Sequence, residues 1–373
     1  MSGLCAVLRG MRRAFLPPGE GCLPARGKPL PMAAAPTGVV LRDLLPASGS
    51  RPSIPARQMA ELSREAEALG FQSAWVTEGR GKESFAMLGA MAMATRRIGL
   101  GTSILPIFSR PPTVTAMAAA TLDDLSGGRL ILGLGTGHAA VTESGHGVPL
   151  PHPARAMREY LEAVRLVLAG GSVRYQGEVV RIREFHLEFA PGRRVPIFVG
   201  ALGPRMLRLA GALADGVILT WFPPARLSWA RDLVAAGARE VGRRPEEVTI
   251  AATARICAPR DGDGARETAR RQLASYAAFP AYARLWEAGG FREAVGRIAA
   301  ALSEGVEAAA RVVPDAMLEM FVGIGDRNRL GAHLQAYRAA GADLVLAYPV
   351  PVGDDAVGSV RDAMRATAPA GQE

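Results

Sequence analysis

Two side chains in this sequence have both the chemistry and the position for acid–base catalysis. His138 follows the apolar run Leu130–Leu134, and its imidazole titrates near neutral pH. Glu78 follows a second apolar run, Ala74–Thr77. A histidine or a carboxylate at the end of a strand can also be a simple hydrogen-bonding or solvated group, so each residue has a structural alternative. We predict that His138 and Glu78 are the catalytic residues.

The sequence predicts no metal site. His138, His146 and His152 share one Gly- and Pro-rich stretch, but their spacing matches no metal-binding motif. The cysteines, at positions 5, 22 and 257, form no CxxC pair and no disulfide framework. Hydroxyls, small residues and aromatic residues dominate the other strand ends. This composition suits a cofactor that brings its own reactivity, while the protein supplies shape and hydrogen bonds.

A glycine-rich turn predicts where an anionic part of such a cofactor binds. The segment GALGPR (200–205) follows an apolar run and opens a helical segment. Backbone N–H groups at the start of a helix attract anions, and an arginine adds positive charge. The alternative is an ordinary strand-to-helix turn with Pro204 in the first helical position. We predict that the cofactor is contacted by Gly200, Ala201, Leu202, Gly203 and Arg205.

Two further apolar runs end in small and polar residues. They are Ile98–Leu105 and Leu130–Leu134. The second run and the residues after it contain Gly133, Gly135 and Gly137. Glycine at such positions lets a flat ligand approach the backbone closely. We predict that a planar cofactor lies across these two strand ends.

The elements that hold these residues alternate between strand and helix. Three helix-to-strand junctions share one pattern: EALGFQSAWV (67–76), GALADGVIL (211–219) and RAAGADLVLA (338–347). With eight predicted strands, this repetition predicts an α/β fold, a (β/α)8 TIM barrel whose functional residues lie at the carboxyl ends of the strands. An open, doubly wound sheet is the alternative, but its GxGxxG turn near the N-terminus is absent.

The predicted boundaries follow from the apolar runs. Residues 139–153 are predicted as a loop and residues 172–194 as a small hairpin. A helical insertion of about residues 258–325 separates the seventh and eighth strands, because this stretch exceeds what one crossover needs. The predicted strands are Gly38–Leu41, Ala74–Thr77, Ile98–Leu105, Leu130–Leu134, Val195–Val199, Val217–Leu219, Val248–Ile256 and Leu344–Ala347.

Charge and composition limit the classes of binding partner that we expect. The chain has 373 residues, a net charge of +9 and a pI near 10.1, but its basic residues are scattered rather than clustered. Residues 1–31 do not look like part of the fold, and we predict a disordered leader or a start codon placed too far upstream, followed by one domain over residues 32–373. No apolar run reaches the roughly 18 residues of a membrane helix. We predict a cytoplasmic protein with neither a nucleic acid nor a membrane as partner.

Three segments resemble the luciferase-like monooxygenase superfamily, and within it the oxidoreductases that use the deazaflavin coenzyme F-420. They are GTSILPIFSRPPTVTAMAAATLDDLSGGRLILGLGTGH (101–138), VPIFVGALGPRMLRLAGALADGVIL (195–219) and, within the insertion, YAAFPAYARLWEAGGF (276–291). The resemblance implies hydride transfer between the reduced deazaflavin and a small organic substrate, in a homodimer. An FMN-dependent monooxygenase and a member that binds without catalysing a reaction are the alternatives.

The resemblance also implies roles for individual residues. Ser103 and Ile104 match the place of a non-prolyl cis peptide behind the cofactor ring. Thr136 and His138 match the turn at the ring edge, and residues 200–203 match the phosphate-binding turn. The acidic–histidine pair that often follows the second strand is incomplete, because this chain has Glu78 followed by Gly79 and Arg80. A catalytic histidine at that place is therefore excluded, and the resemblance does not identify the proton donor.

Overall fold

A computed structural model describes residues 36–42, 54–258 and 264–369 of the protein. The predicted leader, residues 1–31, lies outside the described residues. The strands are β1 (Thr37–Leu41), β2 (Ser73–Val76), β3 (Gly99–Thr102), β4 (Leu105–Pro106), β5 (Leu130–Gly135), β6 (Ser172–Gln176), β7 (Arg181–His186), β8 (Ile197–Gly200), β9 (Gly216–Leu219), β10 (Thr249–Cys257), β11 (Val322–Ile324) and β12 (Leu344–Pro349).

Eight parallel strands close into a barrel. Their order is β10–β12–β1–β2–β3–β5–β8–β9, and β9 pairs again with β10. Nearly every residue of these strands is buried, as expected where helices cover the outside and side chains fill the inside. The predicted (β/α)8 barrel is confirmed, and the open sheet is excluded by the closing pair.

Helices cover the barrel and extend it. Within the described residues, none of the helices is long and apolar enough to cross a membrane. The helices are α1 (Ala56–Ala68), α2 (Ser84–Ala94), α3 (Pro112–Leu125), α4 (Ala139–His146), α5 (Pro153–Leu168), α6 (Pro204–Leu213), α7 (Leu227–Glu240), α8 (Gly264–Ala277), α9 (Pro280–Trp286), α10 (Arg292–Ala301), α11 (Val306–Arg311), α12 (Asp315–Phe321), α13 (Arg327–Ala339) and α14 (Ala356–Ala366).

The predicted insertion is present between β10 and α13. It consists of helices α8–α12 and ends in the short strand β11, which pairs with β10 outside the closed ring. The predicted hairpin is also present, as the antiparallel pair β6–β7. The insertion is anchored over the carboxyl end of the barrel by Trp286, whose Nε1 donates to the carbonyl oxygen of Trp221 at 2.9 Å.

Two sequence predictions were wrong. The stretch 139–153 is not a continuous loop, because helix α4 occupies its first half and ends at Gly147, which has a φ of 67°. The Gly and Pro content of the stretch led us to predict a loop, but Gly147 acts as the left-handed C-cap rather than as a breaker within the helix. The C-terminal helix α14 was not predicted. Its N-cap is Asp355, whose side chain accepts the N–H of Gly358.

The lower part of the barrel interior is apolar. Trp75 is fully buried there and lies 5.8 Å from Phe198 between ring centroids. Gly101 makes room for it, since a Cβ on Gly101 would lie 2.2 Å from the indole. Trp75 therefore belongs to the core of the barrel. The other residues of this apolar part are Val40, Ile131, Ile218, Ala251, Leu344 and Leu346, and Tyr348 lies above them toward the carboxyl end.

Candidate active site

Strand β3 ends in a bulge at the carboxyl end of the barrel. The Ser103–Ile104 peptide bond is cis and non-prolyl, as the resemblance implied. Ser103 donates its backbone N–H to the carbonyl oxygen of Val76 at 2.7 Å, and the Oγ of Ser103 has no hydrogen-bond partner among the described residues. Both bulge residues are half-buried, so one side of the bulge remains accessible.

The glycines of β5 serve this bulge rather than a ligand. A Cβ on Gly133 would lie 1.8 Å from the carbonyl oxygen of Thr102, and one on Gly135 would lie 2.4 Å from the Ile104 side chain. The two positions are therefore filled by the neighbouring strand. The prediction that these glycines expose the backbone to a flat ligand is wrong, because the bulge itself occupies the space.

The turn after β8 has the features of an anion site. Gly203 is the N-cap of α6, with no side chain on the helix end, and a Cβ added there would meet nothing within 4 Å. Pro204 begins the helix and Arg205 is exposed. The first-turn N–H groups of a helix have no partner within the helix, so this open end can bind an anion.

Not all of the predicted turn residues contribute in the same way. Ala201 is buried, and its N–H already donates to the carbonyl oxygen of Ile218 at 3.2 Å. Gly200 packs beside the Ile104 side chain, which joins the turn to the bulge. Leu202 is half-buried at the same end. The structure thus brings Ser103, Ile104 and the 200–205 turn together.

His138 lies at the end of β5, two residues beyond the half-buried Thr136, and faces the insertion. Its ring stacks on Phe279 with centroids 4.1 Å apart and an interplanar angle of 15°. Burial and, to a smaller extent, the charge of Arg42 lower the pKa of His138 to about 4. His138 is therefore a neutral imidazole at pH 7, able to accept a proton or to donate a hydrogen bond.

Glu78 lies after β2, where it was predicted, but two partners hold its carboxylate. Arg110 binds it bidentately, with Nη1 to Oε1 at 2.5 Å and Nη2 to Oε2 at 3.1 Å, and Ser84 donates its backbone N–H at 3.0 Å. Burial lowers the pKa of Arg110, but the hydrogen bonds and charge of Glu78 outweigh burial and leave it raised. This arrangement favours a positioning role for Glu78, which joins the loops after β2 and β4.

Four further residues lie at the same end of the barrel, and none of them was predicted as a catalytic or cofactor-binding residue. Arg42 follows β1 and donates from Nη1 to the hydroxyl oxygens of Tyr276, at 3.1 Å, and Tyr348, at 3.2 Å. Arg255, on β10, has its guanidinium carbon 3.4 Å from the ring centroid of Trp221. Strand periodicity could have indicated Arg255, since it follows Ala251 and Thr253 on the inward face of β10.

Trp221, which follows β9, is buried under the insertion rather than exposed at the barrel mouth. It is 1% exposed and lies against Arg255, Trp286 and Phe321.

The described residues of the site can hold a planar, anionic cofactor and act on protons. The accessible bulge offers a backing for a flat ring, and the adjoining open helix end offers donors for a phosphate. His138 and the two tyrosines supply groups that exchange or orient protons. Among the described residues, no cluster of three or more His, Cys, Asp or Glu side chains could hold a metal ion.

Comparison with known proteins agrees with this geometry. The chain is 31% identical over 302 residues to the 5,10-methylenetetrahydromethanopterin reductase of Archaeoglobus fulgidus, covering 79% of this chain and 90% of that protein. It is 30% identical over 314 residues to a putative coenzyme F-420-dependent oxidoreductase of Mycobacterium tuberculosis, covering 78% and 90%.

The fold has a solved counterpart. The structure of the coenzyme F-420-dependent tetrahydromethanopterin reductase from Methanopyrus kandleri superposes with a TM-score of 0.76 at 28% identity, covering 89% of this chain and 98% of that one. The luciferase-like monooxygenase family matches residues 36–344. With a closed barrel, the cis bulge after β3 and this match over most of its length, the chain belongs to the luciferase-like monooxygenase family.

Proposed function

We propose that the protein is a coenzyme F-420-dependent oxidoreductase that transfers a hydride between the reduced deazaflavin and a small organic substrate. The observation that carries the proposal is the accessible Ser103–Ile104 bulge beside the open N-terminus of α6. The named relatives from Archaeoglobus and Mycobacterium, and the Methanopyrus reductase, support the choice of cofactor.

The proposed binding roles are supported by the resemblance and by the site geometry. Ser103 and Ile104 back the cofactor ring, and Thr136 lies at its edge. The backbone around Gly203 and the side chain of Arg205 bind the phosphate. Bound in this way, the deazaflavin supplies the hydride, so that the protein needs no metal or nucleophile for that step. The insertion covers the carboxyl end and limits access of water to it.

Reduction of the substrate also needs a proton. We propose Tyr276 as the donor, because its hydroxyl lies 3.1 Å from the Nη1 of Arg42. Burial raises the pKa of Tyr276, but the charges of Arg42 and Arg255 outweigh burial and lower it overall. His138, neutral at pH 7, orients the substrate by a hydrogen bond, and in the oxidative direction the proton returns to the Tyr276 oxygen. Glu78 keeps Arg110 and its loop in place.

A binding experiment tests the cofactor site. We expect the wild-type protein to bind coenzyme F-420 more tightly than FMN in absorbance and fluorescence titrations. Gly203→Asp should weaken F-420 binding about tenfold or more, because the carboxylate occupies the helix N–H groups and repels the phosphate. The helix itself tolerates this change, since aspartate is a favourable N-cap and Gly203 has a φ of −108°.

The matched control is Gly192→Asp, which adds the same charge at an exposed glycine with nothing within 4 Å of its Cβ. Tighter binding of FMN would contradict the choice of cofactor. Binding of neither cofactor at micromolar concentration would favour a non-catalytic member of the family. Equal F-420 affinity in Gly203→Asp and wild type would show that the phosphate lies elsewhere.

We also propose that the protein forms a homodimer through α2 and α3. These neighbouring helices carry exposed apolar side chains, including Met93 at 74% and Met117 at 47% exposure, together with Val114 and Leu125. Several large apolar side chains exposed on neighbouring helices are typical of an interaction surface. Light scattering should give a dimer mass for wild type and a monomer mass for a Met93→Glu, Met117→Glu double variant. A wild-type monomer would contradict this proposal.

A further inference from the structure

The interior of the barrel changes character at its carboxyl end. The lower layers are aliphatic and aromatic, as in other barrels of this architecture. Above them, three adjacent strands present Arg42 (after β1), Tyr348 (β12) and Arg255 (β10). Alternation along each strand places all three on the inward face, because they lie an even number of residues from the interior residues Val40, Leu346 and Ala251. Arg255 pairs directly with Tyr348 in the sheet register.

Neither arginine has an acidic partner among the described residues. Arg42 contacts the two tyrosine hydroxyls, and the contacts of Arg255 are a 3.4 Å hydrogen bond to Thr253 and the faces of Trp221, Tyr348 and Tyr276. Arg255 is 2% exposed, and its Nε has no hydrogen-bond partner in the part of the chain that the structure describes. Arginine keeps its charge in proteins, so a buried and a half-buried cation lie here without a counter-ion among the described residues.

Such an arrangement is costly in a protein that only needs a stable barrel. Removing a charge from water is unfavourable unless an opposite charge or several hydrogen bonds compensate. Aromatic faces and phenol hydroxyls compensate in part. An oxyanion at this place would satisfy the remaining N–H groups of Arg42, which is half-buried.

We propose that this site binds the substrate through an oxyanion, a carboxylate or a phosphate, held by Arg42 and the tyrosine hydroxyls, with Arg255 adding positive charge from beneath. The inference rests on the proposed function, since it specifies the substrate class for that same site. The anion lies beside Tyr276 and near His138, so binding it places the rest of the substrate at the groups that handle protons. Arg42 is the contact residue, and Arg255 acts through the Arg42–Tyr348 layer.

The test uses the protein saturated with coenzyme F-420 and the small anions acetate and inorganic phosphate. Anion binding is followed by tryptophan fluorescence, because Trp221 stacks on Arg255. We expect saturable binding of at least one anion and none of acetamide, the neutral analogue of acetate. Arg42→Gln should weaken anion binding tenfold or more, as expected for loss of a charged hydrogen-bonding group, while leaving F-420 affinity unchanged. The preferred anion separates a carboxylate from a phosphate substrate.

Arg174→Gln is the matched control, because Arg174 lies on the exposed hairpin and is 75% exposed in its side chain. Its anion affinity should equal that of the wild type. The proposal is overturned if neither anion binds, if acetamide binds as well as acetate, or if Arg42→Gln binds anions like the wild type. It is also overturned if Arg42→Gln loses F-420 affinity, since the arginines then hold the cofactor. If the wild type binds no F-420 but its anion affinity still depends on Arg42, the anion site stands and the proposed hydride transfer fails.

Discussion

Arginine side chains at the two ends of the barrel differ in their partners. At the amino end, Asp215 precedes β9 and pairs with Arg194 at 2.5 Å and with Arg165. Asp343 precedes β12 and pairs with Arg231 at 2.6 Å. At the carboxyl end, the inward-facing Arg42 and Arg255 have hydroxyl and aromatic neighbours but no carboxylate partner among the described residues. The amino-end arginines named above are thus paired with carboxylates and these two are not, whereas Arg110, after β4, pairs with Glu78.

The pKa values report the same contrast. Burial raises the pKa of Asp215, but Arg165 and Arg194 outweigh burial and lower it overall. Burial lowers the pKa of Arg255, and no carboxylate among the described residues compensates. The ion pairs at the amino end therefore contribute to stability, whereas the proposed anion site would give up some stability for binding, as active sites often do.

The largest effect is expected from removing the central carboxylate at the amino end. Asp215→Ala should lower the free energy of unfolding by about 4 kcal/mol, because it leaves Arg165 and Arg194 without a counter-ion and the N–H of Ile197 without an acceptor. Urea denaturation measures this loss. Asp232→Ala, at an exposed position of α7, is the control and should cost little. Equal stability of the two variants would show that the ion pairs of Asp215 do not stabilise the amino end.

Acid should destabilise the protein through two half-buried histidines, His138 at the carboxyl end and His333 on α13. Burial lowers the pKa of each to about 4. The unfolded chain binds these protons from pH 6.5 downward and the folded protein does not, so stability falls as pH decreases from about 6.5 to about 4. The expected loss is on the order of 3 kcal/mol for each histidine.

His138→Gln should remove its share of this pH dependence and leave that of His333, as measured by denaturation at pH 7 and pH 4.5. An unchanged pH dependence in His138→Gln would show that His138 titrates normally. Asp215 contributes only at lower pH, since its pKa is already below the usual carboxyl value.

The smallest change in stability is expected for Arg255, and comparing it with Arg165 tests directly whether the arginines at the two ends differ. Arg255→Met should change the free energy of unfolding by only about 1 kcal/mol in either direction, because an unpaired buried charge is exchanged for an apolar side chain. Arg165→Met, at the opposite end, should destabilise by about 3 kcal/mol or more, since it leaves Asp215 with one cation fewer. Matching losses in the two variants would mean that Arg255 stabilises the fold as the paired arginines do.

The elements that the sequence predicted well are those with a local signal. The helical segment that follows the 200–205 turn was predicted, and it is present as α6, because Gly203, Pro204 and a regular apolar face mark it. The Ser103–Ile104 bulge was implied by resemblance over a contiguous motif. Strand β8 shifted by one or two residues, which is normal for boundaries read from propensity.

The polar layer at the barrel mouth could not be predicted in the same way. Arg42 and Tyr276 are 234 positions apart, and only the closed barrel and the folded insertion bring them to 3.1 Å. Among 44 basic residues, the sequence does not show which lack an acidic neighbour. The predicted role of Gly133 and Gly135 was wrong for a similar reason, because the atoms beside these glycines belong to residues that are distant in sequence, Thr102 and Ile104.

The aspartates at the amino end also act on the backbone. Asp215, before β9, accepts the N–H of Ile197 in β8 at 2.8 Å, and Asp343, before β12, accepts the N–H of Ile250 in β10 at 2.7 Å. Each carboxylate thus ties the start of its own strand to a neighbouring strand, and a slip of one residue would break the tie. The register of these strands is therefore fixed at the amino end, away from the proposed active site. Residues at the carboxyl end can then be substituted to suit a different substrate without altering the shape of the barrel.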